Sequence, residues 1–110
     1  MVFFDFGDEE MKGLKYDDGK RDWSLLPWEA VEEIVRVLEF GAKKYKRESW
    51  KEVVPKERYD RAALRHRIAY QQGETFDQES GVHHLAHEAV NCIFKIWEDL
   101  HNENKPTADR

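Results

Sequence analysis

The chain has 110 residues, 40% of them apolar and 37% charged, with a formal net charge of −5. That is the size of one domain with a modest core, for which association between copies is a natural way to add buried area. The acidic balance argues against a protein whose main task is to grip a phosphodiester backbone.

Residues 1–23 read as an irregular arm. Gly7, Gly13 and Gly19 with Asp17-Asp18-Gly19-Lys20 mark turns, and Lys12, Lys15, Lys20 and Arg21 make the arm locally basic. Met1 to Phe6 is apolar but is broken by Asp5 and followed by Asp8, Glu9 and Glu10 without a basic leader, so no signal peptide is expected. No apolar run reaches membrane-spanning length, and the expected location is cytoplasmic.

A helix is predicted from Pro27 to Tyr45, because Ala30, Ile34, Val37, Leu38, Gly41, Ala42 and Tyr45 recur at steps of three and four. Ser24 is a candidate cap and Pro27 suits a first turn. Gly41 inside the stripe predicts close approach of another backbone. The helix ends in Lys43, Lys44, Lys46 and Arg47 with Tyr45 and Trp50 alongside. Such cations complement a helix C-terminus. They would equally serve as a polyphosphate clamp beside an aromatic platform for a base, where stacking is worth about 1–3 kcal/mol.

After a connection over residues 46–55, a second helix is predicted from Lys56 to Gln72. Its main face is Tyr59, Ala62, Ala63, His66, Ala69 and Tyr70, with Leu64 and Ile68 as a second strip. Arg65 lies between the strips and is expected to be partly buried, where a guanidinium needs a carboxylate or phosphate partner. Glu33, at the border of the first helix's stripe, is either that partner or a metal ligand reaching across the bundle.

Gly73 closes the second helix. The loop Glu74–Glu79 leads to a third, capped by Ser80 or Asp77 and running to Asn102, with a wide stripe of Val82, Leu85, Ala86, Ala89, Ile93, Ile96, Trp97 and Leu100. The single cysteine, Cys92, excludes an intrachain disulfide, fits a reducing compartment and reads as a small core residue. Residues 103–110, with Pro106, read as a frayed tail. The expected architecture is all-α: three long helices in one domain, with a helical core over residues 24–102.

The segment from Gly73 to His87 concentrates Glu74, Asp77, Glu79, His83, His84 and His87 at the junction before the third helix. Carboxylates and imidazoles are the side chains that hold divalent cations. His84, His87 and Asn91 fall opposite the apolar stripe, which makes them either a solvated face or the wall of a polar groove. Asp77 and Glu79 also suit a helix start through its dipole, whereas Glu74 lies beyond that effect. His66 and His84 could join in a histidine site, although the adjacent His-Asp pair of the HD phosphohydrolases is missing. No glycine-rich phosphate loop, nucleophile elbow or Cys/His zinc pattern occurs.

One ordered set of motifs is more specific than any of these pieces. Gly13-Leu14-Lys15-Tyr16-Asp17-Asp18-Gly19-Lys20, Leu25-Leu26-Pro27, Phe40-Gly41-Ala42-Lys43-Lys44-Tyr45, Trp50, Ala63-Leu64-Arg65-His66, Gly73-Glu74 with Asp77, Glu79-Ser80-Gly81 and His84-Leu85-Ala86-His87 follow one another along the chain. Together they resemble the phage-type dATP/dGTP diphosphohydrolase domain, the MazZ-like family, itself similar to a branch of the all-α MazG-like nucleoside triphosphate pyrophosphohydrolases. The resemblance spans residues 13 to 100. It implies hydrolysis of a purine deoxynucleoside triphosphate to the monophosphate and pyrophosphate with Mg²⁺ or Mn²⁺, in the host cytoplasm of a phage, by a homodimer or homotetramer. No membrane and no stable nucleic-acid complex are expected as partners.

The MazG-like sites use Glu-x-x-Glu and Glu-x-x-Asp on successive helices. Glu29-x-x-Glu32 and Glu57-x-x-Asp60 match that spacing only formally, in a chain with 23 acids. In the expected mechanism Glu74 and Asp77 are the catalytic pair. Metal would be held by Glu33, Glu74 and Asp77, with Glu79 and His84 as further candidates. Lys15, Lys20, Lys44 and Arg65 would neutralise phosphate oxygens, and Tyr45 or Trp50 would hold the purine. The competing expectation is a non-catalytic helical module that binds a nucleotide or a protein.

Overall fold

The computed structural model describes residues 19–53 and 55–102, and these form three long helices without a named strand. Lys15, most of the basic arm and the tail from residue 103 lie outside the described residues.

Helix α1 spans Trp28–Lys44. Pro27 occupies the cap position without a side-chain bond, and its carbonyl accepts the first helical bonds from Ala30 and Val31. Ser24 is not the cap. It belongs to a separate 3-10 turn, Trp23–Leu25, whose own cap is Asp22, and extended Leu26 separates this turn from α1. Gly41 also differs from expectation. A Cβ there would meet nothing within 4 Å, so no backbone approaches it.

The connection carries a 3-10 turn, Ser49–Glu52, entered through Glu48 in the left-handed region at φ 60°. Trp50 anchors it: its ring stacks on Phe94 at 4.4 Å and meets Trp97 edge-on at 5.1 Å. Its carbonyl accepts the hydroxyl of buried Tyr59. Trp50 thus spends its ring on packing.

Helix α2 spans Glu57–Gln71 and ends as the glycine predicted. Gly73 has φ +104°; its N–H donates to Tyr70, and the Glu74 N–H reaches back to Ala69 at 3.0 Å. This paired bonding satisfies carbonyls that the helix end would otherwise orphan. Residues 75–83 then make a small hairpin-like loop. Asp77 N–H donates to Val82, His84 N–H donates to Thr75, Phe76 bridges His83, and Gly81 turns the chain at φ +74°.

Helix α3 spans His84–His101, later than a Ser80 or Asp77 cap would start it. Those two side chains bond each other inside the loop, and His83 caps instead, its ring Nδ1 accepting the Leu85 N–H at 3.0 Å.

α3 is the central element, packed against both α1 and α2. Val37 of α1 joins Val82, Ala86 and Val90 in the core, with Ile34 and Phe94 against them. The predicted interior stripe of α3 is only half right. Val82 and Ala86 are buried, but Ile93, Ile96 and Leu100 are exposed, and the histidine side faces inward, with His84 only 3% exposed. The inversion has a physical cause: α2 and the 75–83 loop offer partners for the imidazole nitrogens, so burying that face leaves no polar atom unpaired. Cys92 turns outward with the exposed stripe and is not a core residue. No helix among the described residues is long and apolar enough to cross a membrane.

Candidate functional site

α1 and α2 flank α3 and leave an open groove of about 1180 Å³ between them. Its floor is α3, through His87, Val90, Asn91 and Phe94, and Asp77, Glu79 and His66 line it as well. Arg58, Arg61 and Arg65 line it from α2, and Lys44, Lys46 and Arg47 from the end of α1. The arginines recur at helical spacing, so they share one side of α2. None of the three forms an ion pair among the described residues. Glu39, Glu48 and Glu52 line the groove too, so it mixes charges, with its cations gathered in the α2 arginine row and at the end of α1.

A network of imidazoles and carboxylates lies where α2, the loop and α3 meet. His84 Nε2 sits 2.5 Å from Glu74 Oε1, and its Nδ1 sits 2.8 Å from Nδ1 of His66. Since an ionised carboxylate only accepts, His84 carries a proton on Nε2, and with both rings neutral the bond between them is donated by His66. A second chain runs through Ser80. Its N–H and hydroxyl both donate to Asp77 Oδ2 at 2.8 Å, while its oxygen accepts from Val82 N–H and lies 2.7 Å from His87 Nε2. His87 therefore donates to Ser80 from Nε2. The His66 and His87 rings stack with centroids 4.3 Å apart.

Burial keeps the two stacked histidines neutral. It pushes His66 down to about 4, reinforced by His87, with Asp77 pulling the other way. Burial likewise lowers His87, against the opposing pull of Asp77. Burial alone would raise Asp77, but the two hydrogen bonds from Ser80 outweigh it and hold this carboxyl below its ordinary value. Near neutral pH the cluster thus contains an anionic carboxylate beside imidazoles with available lone pairs.

The expected site residues separate into groups. Asp77 and His84 come together, with Glu74 behind His84. Glu79 is exposed and pairs with Lys44 at 2.6 Å, so the loop and the end of α1 are tied by an ion pair. Glu33 is bound to Arg36 on its own helix at 2.9 Å and does not line the groove. Arg65 is exposed in the groove, contrary to the expected burial, because α2 turns that side toward the opening. Tyr45 lines the groove and is 70% exposed, with the Lys44 ammonium 5.2 Å from its ring centroid, whereas Trp50 is held by Phe94. Lys20 is exposed and lies outside the groove lining. In the formal carboxylate pattern, Asp60 pairs with Lys95, and Glu29, Glu32 and Glu57 are exposed.

Arg58 and Arg61 escaped the sequence reading as site residues, and Ser80 was read only as a helix cap, whereas His87 was expected on a solvated face or the wall of a polar groove and takes the second of these places. The arginines were detectable from their spacing. His66 stood among alanines on the main face of α2, where an imidazole signals a polar partner inside the fold.

Fold and site together define a small all-α domain with a neutral-imidazole and carboxylate cluster opening on a groove edged by a row of arginines. The chain belongs to the dATP/dGTP diphosphohydrolase N-terminal family, whose model matches residues 10–110. It is 38% identical over 99 residues to the dATP/dGTP diphosphohydrolase of Salmonella phage PMBT28, an alignment covering 90% of this chain and 33% of that protein. The chain thus spans about a third of that relative's length. No solved structure matches it.

Proposed function

We propose that this domain hydrolyses a purine deoxynucleoside triphosphate, dGTP or dATP, to the monophosphate and pyrophosphate. One observation carries the reading: Arg58, Arg61 and Arg65 share a single groove with Asp77, His66 and His87. Guanidinium groups recognise phosphate oxygens through paired donors, so this row suits a chain of phosphates. The similarity to a phage protein named dATP/dGTP diphosphohydrolase supports the substrate class.

A divalent cation, Mg²⁺ or Mn²⁺ by the family resemblance, would supply charge neutralisation and an activated water. Asp77 is the carboxylate placed to hold it, with His84 beside it and Glu74 orienting His84. The arginines would draw charge from the phosphates, and Lys44, tied to Glu79, would close the α1 side of the groove. Tyr45 would give the purine a stacking surface. Its ring is exposed where it lines the groove.

The exposed stripe Ile93, Ile96 and Leu100 supports association with a second copy of the chain. None of the described side chains is less than 2% exposed, so the single copy has a thin core.

Incubation with each dNTP and Mg²⁺ or Mn²⁺, followed by pyrophosphate detection, tests the reading. Asp77→Asn keeps an oxygen to accept the Ser80 bonds and should preserve the fold, yet its pyrophosphate release should fall to background. Undiminished turnover would remove Asp77 from the mechanism. A non-catalytic nucleotide-binding module is the alternative, favoured by the two-thirds of the phage relative that lies outside the match. Nucleotide binding without product from any triphosphate, at enzyme excess, would establish that alternative.

A further inference from the structure

We infer that His66, Asp77 and His84 form a three-ligand site for a first-row divalent cation of the Mn²⁺, Co²⁺ or Zn²⁺ class, and that Glu74 positions His84 for it. The site deepens the proposed function by naming its ion and ligands, but its existence does not depend on hydrolysis.

Ligand atoms of these three residues lie within 4.8 Å of one another, and they come from three different elements: α2, the loop and the start of α3. The two Nδ1 atoms face each other at 2.8 Å with one proton between them. An ion bound at about 2.1 Å to each nitrogen needs them roughly 3.0–3.4 Å apart, so a small ring adjustment lets the cation take that proton's place. The proton of His66 then moves to its Nε2.

Glu74 makes this arrangement specific. Its bond to His84 Nε2 fixes the tautomer whose lone pair is on Nδ1, aimed at His66. A carboxylate behind a ligating imidazole is the usual outer support of a metal–histidine bond. Asp77 has a comparable brace, because Ser80 occupies Oδ2 with two hydrogen bonds and leaves Oδ1 for the ion. His66 and Asp77 both line the groove, which opens the remaining coordination positions to water or a phosphate oxygen.

Donor chemistry sets the ion class. Mg²⁺ prefers oxygen ligands and retains its waters, whereas two imidazoles and a carboxylate suit first-row transition ions and Zn²⁺. The site should therefore hold such an ion in the presence of excess Mg²⁺.

Chelator-treated full chain titrated with Co²⁺ tests this, with visible ligand-field absorption and calorimetry as readouts and no nucleotide present. One Co²⁺ per chain should bind and resist displacement by a large excess of Mg²⁺. Glu74→Gln should weaken it by about 10–100-fold. His84→Ala should abolish binding, and so should His66→Ala, the safer variant because His66 is only half-buried; circular dichroism would confirm that each is folded. Absence of Co²⁺ binding, ready displacement by Mg²⁺, or unchanged affinity in folded His66→Ala would overturn the site. A protein that binds Co²⁺ but releases no pyrophosphate keeps this site and loses the hydrolase reading; one that hydrolyses with Mg²⁺ and ignores Co²⁺ does the reverse.

Discussion

His84 has both ring nitrogens engaged, one by a carboxylate and one by another imidazole, and this accounts for its burial inside a highly charged chain. Of the neighbouring stacked pair, His87 is buried and His66 half-buried, and both are held neutral, which links stability to pH. Well above pH 6.5 both rings are uncharged in the folded and the unfolded chain, so their burial has no protonation cost. As pH falls, the unfolded chain takes up protons that folded His66 refuses until about pH 4. Stability of the metal-free protein should therefore decline across that window, by on the order of 2 kcal/mol for His66 alone. His87, lowered in the same direction, adds to the decline, and Asp77 extends it into the range below 3.8. Urea unfolding at about pH 7.5 and about pH 4.5 measures the difference; identical midpoints would mean that the histidines are not held neutral.

The helices show how unequal two glycines in one chain can be. Gly73 sits at φ +104°, where an L side chain is strained, and it carries the bonding that closes α2. Gly73→Ala should cost about 1–2 kcal/mol. Gly41 lies mid-helix in α1 with open space where a Cβ would go. Gly41→Ala should raise stability by about 0.5–1 kcal/mol through reduced backbone entropy in the unfolded chain. Thermal melts should move in opposite directions, by about 4–8 °C per kcal/mol for a domain of this size. A destabilised Gly41→Ala would instead revive the close-approach reading of that stripe. The elements themselves were legible because periodicity and the Gly73 stop are local properties. The start of α3 was not, since the Asp77–Ser80 bonding and the His83 cap depend on the loop folding back on itself.

Across the molecule, the apolar surface that α3 does not bury is the feature most in need of a partner. Ile96 and Leu100 are each 57% exposed, and with Ile93 they follow one another along the same helix. Burying such side chains is worth about 1.5–3 kcal/mol each. Ile96→Lys should therefore convert an associated species to the single chain in light-scattering measurements, while leaving helical content unchanged. A wild-type protein already monomeric at high concentration would rule out this face as an interface.

The amino-acid sequence alone determined three helices, their approximate limits, the glycine stop after α2 and the motif order that marks the family. These rest on local backbone preference and on residue identity, which do not need the fold. Only the tertiary structure decided which side of α3 faces inward, that His66 meets His84, that Glu33 stays with Arg36, and that three arginines share a groove with Asp77. Those outcomes depend on how neighbouring elements satisfy buried nitrogens and carboxylates, and periodicity cannot distinguish a polar face that is solvated from one that is paired inside.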